Sequence, residues 1–198
     1  MGLDMSLYIR KKDYKNKIPM EALKNYGDIE DIDNTEEFIK KVGTIKLAEL
    51  IMSKNVFVDQ EYYTDTTWLS ILKSIGYWRK ANAIHNWFVK NVQHGEDDCG
   101  YYVVTKGQLE ELKDTCQKVL ETLNDDEMEE VINEDGFKVM QYKNRELAQE
   151  LLPTQEGFFF GGTSYTEYYK EQLQNTIRIC NSCWYVKEDF EILYHSSW

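Results

Sequence analysis

Alternating apolar and polar positions in two parts of the sequence predict β-strands. Segments 2–9 and 190–195 each carry an apolar residue at every second position, which is the side-chain period of a half-buried strand. These residues are Leu3, Met5 and Leu7 in the first segment and Phe190, Ile192 and Tyr194 in the second. The two strands are expected to pair within one small sheet.

Apolar positions at steps of three and four predict a helix from Tyr77 to Val92. Its core face consists of Tyr77, Ala81, Ile84, Phe88 and Val92. At about 100° per residue, the neighbouring flank contains Trp78, Asn82, His85 and Val89. Polar groups are therefore expected along the boundary between the buried stripe and whatever lies beside it.

Two capping boxes predict further helices, because each pairs a hydroxyl with an acceptor side chain three residues later. Thr105 and Gln108 form the first, and Ser164 and Glu167 form the second. The helix after Ser164 is expected to bury one face, formed by Tyr169, Leu173, Ile177 and Cys180. A short helix is also predicted over 145–152, stopped by Pro153, which disfavours helical geometry in the residue before it.

The remaining segments are predicted from turn residues and local composition. Extended pieces are expected at 56–58, 101–104 and 157–160, a helix from Thr66 or Thr67 to Ile75, and an acidic connection over 124–134. Residues 11–64 have a weaker pattern, with helices predicted at 19–27 and 36–41 and an ambiguous segment at 45–52. Taken together, these elements predict an α+β fold in a single compact domain, 1–198, with several helices packed on a small sheet and a variable, insertion-like region at 11–64.

Composition excludes several classes of protein. A chain of 198 residues with 42% hydrophobic residues is long enough for one well-buried domain. Its net charge of −12 argues against binding a nucleic-acid backbone, which needs clustered Lys and Arg. No apolar run reaches the roughly 18 residues of a membrane span, and no signal-peptide pattern is present. The sequence thus predicts a cytoplasmic protein with no membrane or nucleic-acid partner.

The cysteines and acidic loops are weak indicators of metal binding. Cys180 and Cys183 have the spacing of half a zinc site or of a redox pair, but no second such pair exists. In a reducing compartment they are better interpreted as buried thiols, and their binding of metal is left open. The acidic loop 94–98 is expected to be solvated. No metal or cofactor is predicted.

The sequence favours ligand binding over catalysis. It contains neither a Walker loop nor a G-x-S-x-G elbow, so no catalytic residue is assigned. Arg79 can pair with a phosphate or carboxylate, His85 can hydrogen-bond a polar ligand, and the rings can stack. Gly161 and the helix start near Ser164 can form an anion site. The candidate ligand-binding residues are Trp78, Arg79, Asn82, His85, Thr154, Gln155, Phe158, Phe160, Gly161, Thr163 and Ser164.

Each candidate taken singly also has a structural interpretation. Trp78 is an ordinary core residue, His85 a hydrogen-bonded histidine at the edge of the core, and Gln155 an amide that fixes a loop. The backbone donors near Gly161 can equally be satisfied by Ser164 and Glu167. The binding hypothesis rests on the combination of polar groups and rings.

Several blocks of this sequence resemble a family of small phage and prophage proteins. The blocks are Met1–Met5, Gly76–His85 with Trp87–Val89, Asp97–Cys99 with Tyr101–Val103, Leu151–Thr163 and Ser196–Trp198. The resemblance implies a viral origin and an accessory role in the cytoplasm of a host bacterium. It implies no reaction.

The leading hypothesis is therefore a non-catalytic protein that sequesters a nucleotide-like molecule, in the manner of an anti-defence sponge. The pocket is expected between the Tyr77 helix and the Phe158 turn. The alternative is an inhibitor that blocks a host protein through an acidic, Tyr-rich surface, and a third hypothesis is a hydrolase of phosphorylated compounds with His85 as base. Homo-oligomerisation is left open.

Overall fold

The computed structural model describes residues 2–11, 18–19, 56–63, 66–188 and 190–198. The strands in these ranges are β1 (Asp4–Lys11), β2 (Ile18–Pro19), β3 (Val56–Tyr63), β4 (Thr66–Arg79), β5 (Tyr101–Val104), β6 (Met128–Ile132), β7 (Lys138–Tyr142) and β8 (Phe190–Ser197). The helices are α1 (Asn82–Asn91), α2 (Lys106–Leu120), α3 (Glu146–Leu151) and α4 (Glu167–Cys183). This mixture of helices and antiparallel sheets confirms the predicted α+β class.

The chain divides into two compact units. The first comprises 1–8, 75–187 and 192–198, and the second comprises 9–74 and 188–191. In the second unit, β3 pairs with β4 in antiparallel register from Val56 opposite Lys73 to Tyr63 opposite Thr66, and β2 also pairs with β4. The single-domain organisation with an insertion at 11–64 stays a prediction. Of the helix predicted at 19–27, only Pro19 is described, and it lies in β2; residues 20–27, the helix predicted at 36–41 and the segment at 45–52 lie outside the described residues.

The first unit contains a sheet and a separate hairpin. Its sheet strands are hydrogen-bonded in the order β4-β1-β8-β5, so the predicted N-terminal and C-terminal strands are neighbours. β5 and β8 are antiparallel, with Tyr101 opposite His195. β6 and β7 form a two-stranded sheet of their own, with Met128 opposite Tyr142.

Helices α2 and α4 pack against each other and supply much of the described core. The buried residues of α2 are Leu109, Leu112, Cys116 and Val119, as the helical spacing after Thr105 predicts. The Thr105 capping box is present, since Thr105 Oγ1 accepts the N–H of Gln108 and the Gln108 side chain accepts the N–H of Thr105. Among the described residues, no helix has the length and apolar composition to span a membrane.

The predicted helix over 66–75 is wrong, and the helix predicted from Tyr77 begins at Asn82 instead. Thr66–Arg79 is one long strand, in which pairing with neighbouring strands prevails over the helical spacing of its apolar residues. The end of β4 shows the strand period, with Tyr77 and Arg79 exposed and Trp78 buried between them. Trp78 donates its indole N–H to Thr176 Oγ1 of α4 at 2.8 Å.

The predicted second capping box is also wrong. Helix α4 begins at Glu167 with Thr166 as its N-cap, and no side chain caps it. Because the helix starts two residues later than the capping box required, Glu167 is its first residue and not its third, and its carboxylate accepts the Tyr142 hydroxyl at 2.5 Å. The carbonyl of Ser164 accepts the N–H of Thr166 at 3.0 Å.

Residues 157–160 form a turn where an extended piece was predicted. The N–H of Phe160 donates to the carbonyl of Gly157 at 3.1 Å, and Phe159 has a φ of +72°. A side chain at position 157 would lie 2.5 Å from the Phe160 ring, so only glycine fits there. The turn therefore requires glycine at position 157.

The acidic segment 124–134 is not a simple connection, because β6 begins within it. The missed signal was a pair of β-branched residues, Val131 and Ile132, followed by a turn that ends in Gly136. Gly136 has a φ of +81°, and Asn133 Oδ1 accepts the N–H of Phe137 at 2.8 Å. An Asn and a Gly thus supply the turn chemistry that a hairpin needs.

Candidate functional site

The start of α1 and the loop after Pro153 meet through the side chain of Asn82. Its Nδ2 donates to the carbonyls of Phe160 at 3.3 Å and Gly162 at 3.0 Å, and its Oδ1 accepts the N–H of Gln155 at 3.2 Å. Asn82 is buried, so these bonds replace solvation by water. One amide thereby joins the two sequence blocks that the ligand hypothesis placed face to face.

The backbone of Leu3 forms a second connection between the same blocks. Its carbonyl accepts the N–H of Lys80 at 2.7 Å, and its N–H donates to the carbonyl of Phe159 at 3.2 Å. Both partners have left-handed backbones, with φ of +53° at Lys80 and +72° at Phe159. Such a conformation in a non-glycine residue costs about 1–3 kcal/mol and often occurs at functional sites.

A cavity of about 200 Å³ lies where these segments and α4 meet. Its apolar lining comprises Ala81, Ala83, Ile84, Val139 and Leu173. Its uncharged polar lining includes Asn82, Asn133, Thr154, Ser164, Thr166 and Gln172. Among the described residues that line it, Lys80 alone is charged.

The first turns of α4 form one wall of this cavity. Thr166, Tyr168 and Gln172 line it, and the first backbone N–H groups of a helix have no partner within the helix. The helix dipole adds partial positive charge at the same end. Within the described part of the chain, the Oε1 atom of Gln172 is buried and has no hydrogen-bond partner. The wall therefore combines the positive end of the helix dipole with one unused acceptor.

His85 does not line the cavity; it lies in a buried hydrogen-bond network on another side of α1. Its Nε2 is 2.9 Å from Asp97 Oδ2, and its Nδ1 is 2.7 Å from the Tyr194 hydroxyl. Because a carboxylate only accepts, we assign the proton to Nε2, and Nδ1 then accepts the Tyr194 O–H. Burial lowers the pKa of His85, and the nearby Asp97 opposes this shift. His85 is thus held neutral, with both nitrogens bonded.

The same network reaches the Ser196–Trp198 block. The Trp198 indole N–H donates to Asp97 Oδ1 at 3.2 Å, and the Trp198 ring lies 6.0 Å from that of Phe160. Phe160 in turn meets the His85 ring edge to face at 5.2 Å. His85, Asp97, Phe160 and Trp198, which are far apart in the sequence, therefore meet in one cluster.

The predicted ligand residues fall into three groups. Those that line the cavity are Asn82, Thr154 and Ser164. Those whose side chains or backbone brace the loop or the core are Trp78, His85, Gln155, Phe160, Gly161 and Thr163. Those on the surface are Arg79 and Phe158. Thr154 Oγ1 also donates to the carbonyl of Thr163 at 2.8 Å, so it braces the loop as well.

Sequence reasoning missed several residues of the cavity. Lys80 lies inside the Gly76–His85 block, but the predicted helix directed it towards solvent. Asn133 and Val139 belong to the hairpin that was not predicted. Gln172 sits one residue before the buried Leu173, and no local signal marks it as a cavity residue.

The described residues contain no group of three or more His, Cys, Asp or Glu placed to hold a metal ion. The four cysteines are free thiols, and burial raises the pKa of Cys180 to about 12 and of Cys183 to about 11. These thiols are therefore protonated and weakly nucleophilic at neutral pH.

Comparison of the chain with protein-family models, with curated proteins and with solved structures gave no match.

Proposed function

We propose that this protein binds a small nucleotide-like anion in the cavity beside Lys80 and releases it unchanged. The observation that carries the proposal is the charge of the lining: of the lining residues that the structure describes, Lys80 alone is charged, although the chain holds 35 acidic residues. In the wider form of the proposal, the protein is a phage-encoded accessory factor that sequesters a signalling molecule in the host cytoplasm.

Electrostatics favour an anionic ligand in this position. Lys80 and the start of α4 contribute positive charge, and the described residues lining the cavity include no carboxylate. Glu134 and Glu167 lie nearby, where they accept hydrogen bonds from the Thr163 N–H and the Tyr142 hydroxyl and keep their negative charge, so the attraction to an anion comes from Lys80 and the start of α4. A phosphate or carboxylate at this position would be attracted electrostatically, although the protein as a whole is acidic.

The size of the cavity limits how much of the ligand it can hold. A volume of about 200 Å³ is below the ~300–1,000 Å³ of drug-sized binding sites. The cavity therefore takes one moiety of a nucleotide and leaves the rest at its mouth. The apolar side of that moiety would pack on Ile84 and Leu173, and Ser164 and Thr166 would contribute hydroxyl groups.

The geometry favours binding without turnover. Hydrolysis needs a base beside the reacting atom, and no His, Asp or Glu is among the described residues lining the cavity. His85, the base of the hydrolase hypothesis, has both ring nitrogens engaged with Asp97 and Tyr194. A bound molecule would accordingly be released from the protein without being cleaved.

Isothermal titration against nucleoside mono-, di- and cyclic phosphates tests the proposal. Lys80→Gln should weaken binding about tenfold, the loss of one charge-assisted contact. Lys90→Gln, which removes an exposed charge from α1, is the matched control and should bind like the parent. Ala83→Leu should abolish binding by filling the cavity. Absence of binding by every compound would refute the proposal, and recovery of a cleaved ligand after denaturation would refute sequestration.

The alternative, an inhibitor of a host protein, is favoured by two exposed rings where α4 ends. Trp184 and Tyr185 are 63% and 85% exposed, an unusual position for two large aromatic side chains. A pull-down from host lysate, with Tyr185→Ala as the matched variant, tests it. A stoichiometric host protein that is lost with Tyr185→Ala, in a chain that binds no nucleotide, would favour this alternative.

A further inference from the structure

Exposed apolar side chains of the first unit concentrate on two surfaces that complement each other in charge. Seven of the twelve large hydrophobic residues that are exposed in the described chain lie on these two surfaces. The first, the aromatic–cationic patch, consists of Tyr77, Arg79, Lys80, Phe158, Phe159 and Tyr168; Asp4, which accepts the Tyr77 hydroxyl, is the acid beside it, so its two cations leave it net positive. The second, the acidic hairpin, consists of residues 125–142 and exposes Ile132, Phe137 and Met140.

The patch is held together by contacts through Gly2 and Leu3. The guanidinium of Arg79 and the end of the Lys80 side chain lie against Gly2, and Leu3 bonds to Lys80 and Phe159. Phe158 is 83% exposed and its ring lies 4.3 Å from that of Phe159. The strained backbones of Lys80 and Phe159 thus hold two cations and two phenyl rings in place at the surface.

The hairpin has the opposite charge. Segment 125–135 contains seven acidic residues and no Lys or Arg. Ile132 and Phe137 at its tip are 71% and 68% exposed. Glu130 pairs with Lys138, Glu129 with Arg145 and Asp125 with Lys170, and Glu134 accepts the Thr163 N–H, so much of the acidity is engaged within the chain. Glu134 and Asp135 still place negative charge at the tip, beside its exposed apolar side chains.

We infer that the aromatic–cationic patch of one copy docks the acidic hairpin of a second copy, so that the protein forms a self-complementary dimer. Burying exposed Phe and Ile side chains supplies the driving force, and the opposite charges set the register. The two surfaces are neighbours on one chain, because Gly161 packs on Lys80 and Thr163 bonds to the hairpin residue Glu134. Neighbouring complementary surfaces can satisfy each other reciprocally across a two-fold axis.

A charge-swap experiment on the full chain tests this assembly by sedimentation velocity between 1 and 200 µM. The parent should show a concentration-dependent dimer. Variant A, Arg79→Glu with Lys80→Glu, and variant B, Glu130→Lys with Asp135→Lys, should each raise the dimer dissociation constant at least tenfold. An equimolar mixture of A and B should recover the dimer, because each inverted surface then meets its opposite. This recovery also shows that both variants are folded.

Two further measurements test the apolar contribution to the dimer and the possibility that another molecule binds the aromatic–cationic patch. Phe158→Ala should weaken the dimer about tenfold, whereas the control Tyr185→Ala, an exposed ring outside both surfaces, should leave it unchanged. A parent that stays monomeric at every concentration overturns the inference. A monomer that binds a single-stranded oligonucleotide through Arg79 and Lys80 overturns it in favour of a nucleic-acid partner. Lys80 and the hairpin also border the proposed nucleotide cavity, so the assay is run without nucleotide, and a dimer that forms or fails to form there is judged separately from the titration.

Discussion

Replacement of Asn82 by alanine should destabilise the fold more than its small change in size suggests. The truncation leaves three backbone groups without their partner: the carbonyls of Phe160 and Gly162 and the N–H of Gln155. A buried polar group left unpaired costs about 1–3 kcal/mol, and water can reach part of this loop, so we expect about 2–4 kcal/mol in total. For a protein of this size the melting temperature should fall by about 4–16 °C.

Urea denaturation followed by tryptophan fluorescence measures this change. The matched control is Asn91→Ala, because Asn91 is exposed and donates one bond to the Trp87 carbonyl within α1. Asn82→Asp adds a second comparison, since it keeps the acceptor for Gln155 but places a carboxylate against two carbonyl oxygens. It should lose at least as much stability as Asn82→Ala at pH 7. If Asn82→Ala cost no more than the control, Asn82 would not be what joins the two blocks.

Three further predictions concern the interior. Because burial lowers the pKa of His85, the free energy of unfolding should fall as pH drops below about 6.5, by at most about 1.4 kcal/mol per pH unit. In His85→Asn, the urea concentration at the midpoint of unfolding should change less between pH 7.5 and 5.5 than it does in the parent. An equal change in both proteins would contradict this prediction. Gly157→Ala, whose Cβ would lie 2.5 Å from the Phe160 ring, should lower the free energy of unfolding measured by calorimetry by about 1–3 kcal/mol. The control Gly107→Ala in α2 should raise it by about 0.5–1 kcal/mol. Equal effects of the two substitutions would refute the packing argument. In native protein, Ellman's reagent should modify Cys99 before the buried Cys116, Cys180 and Cys183; simultaneous modification would show that the α2–α4 interface opens.

The predictions from sequence succeeded where local pattern and burial agree. The alternation of Leu3, Met5 and Leu7 marked β1, and the Thr105 capping box marked the start of α2. They failed where a distant partner decides the structure. Thr66–Arg79 has a mixed pattern and becomes a strand through pairing with β1 and β3, which no local period reveals. At Ser164, the backbone carbonyl accepts the Thr166 N–H, and α4 starts two residues later than the capping box required.

The candidate site was predictable to a similar extent. The sequence brought the two blocks together through their polar residues, and Asn82 does connect them. The sequence could not predict that Asn82 and His85, three residues apart on α1, contact different parts of the protein. Asn82 reaches the loop at Phe160, whereas His85 reaches Asp97 and Tyr194. The missed hairpin also concealed Asn133 and Val139 as cavity residues.

The position of β8 in the sheet has a consequence for how the protein folds during synthesis. β8 lies between β1 and β5, although among the described strands it is the latest to be synthesised. Until it leaves the ribosome, β1 and β5 lack the strand that joins them, and His85 lacks its partner Tyr194. Pairing across such long stretches of chain slows folding. The sheet and the core beneath α1 should therefore be completed only after translation of β8, and ribosome-bound chains stalled before Phe190 should remain sensitive to protease around α1.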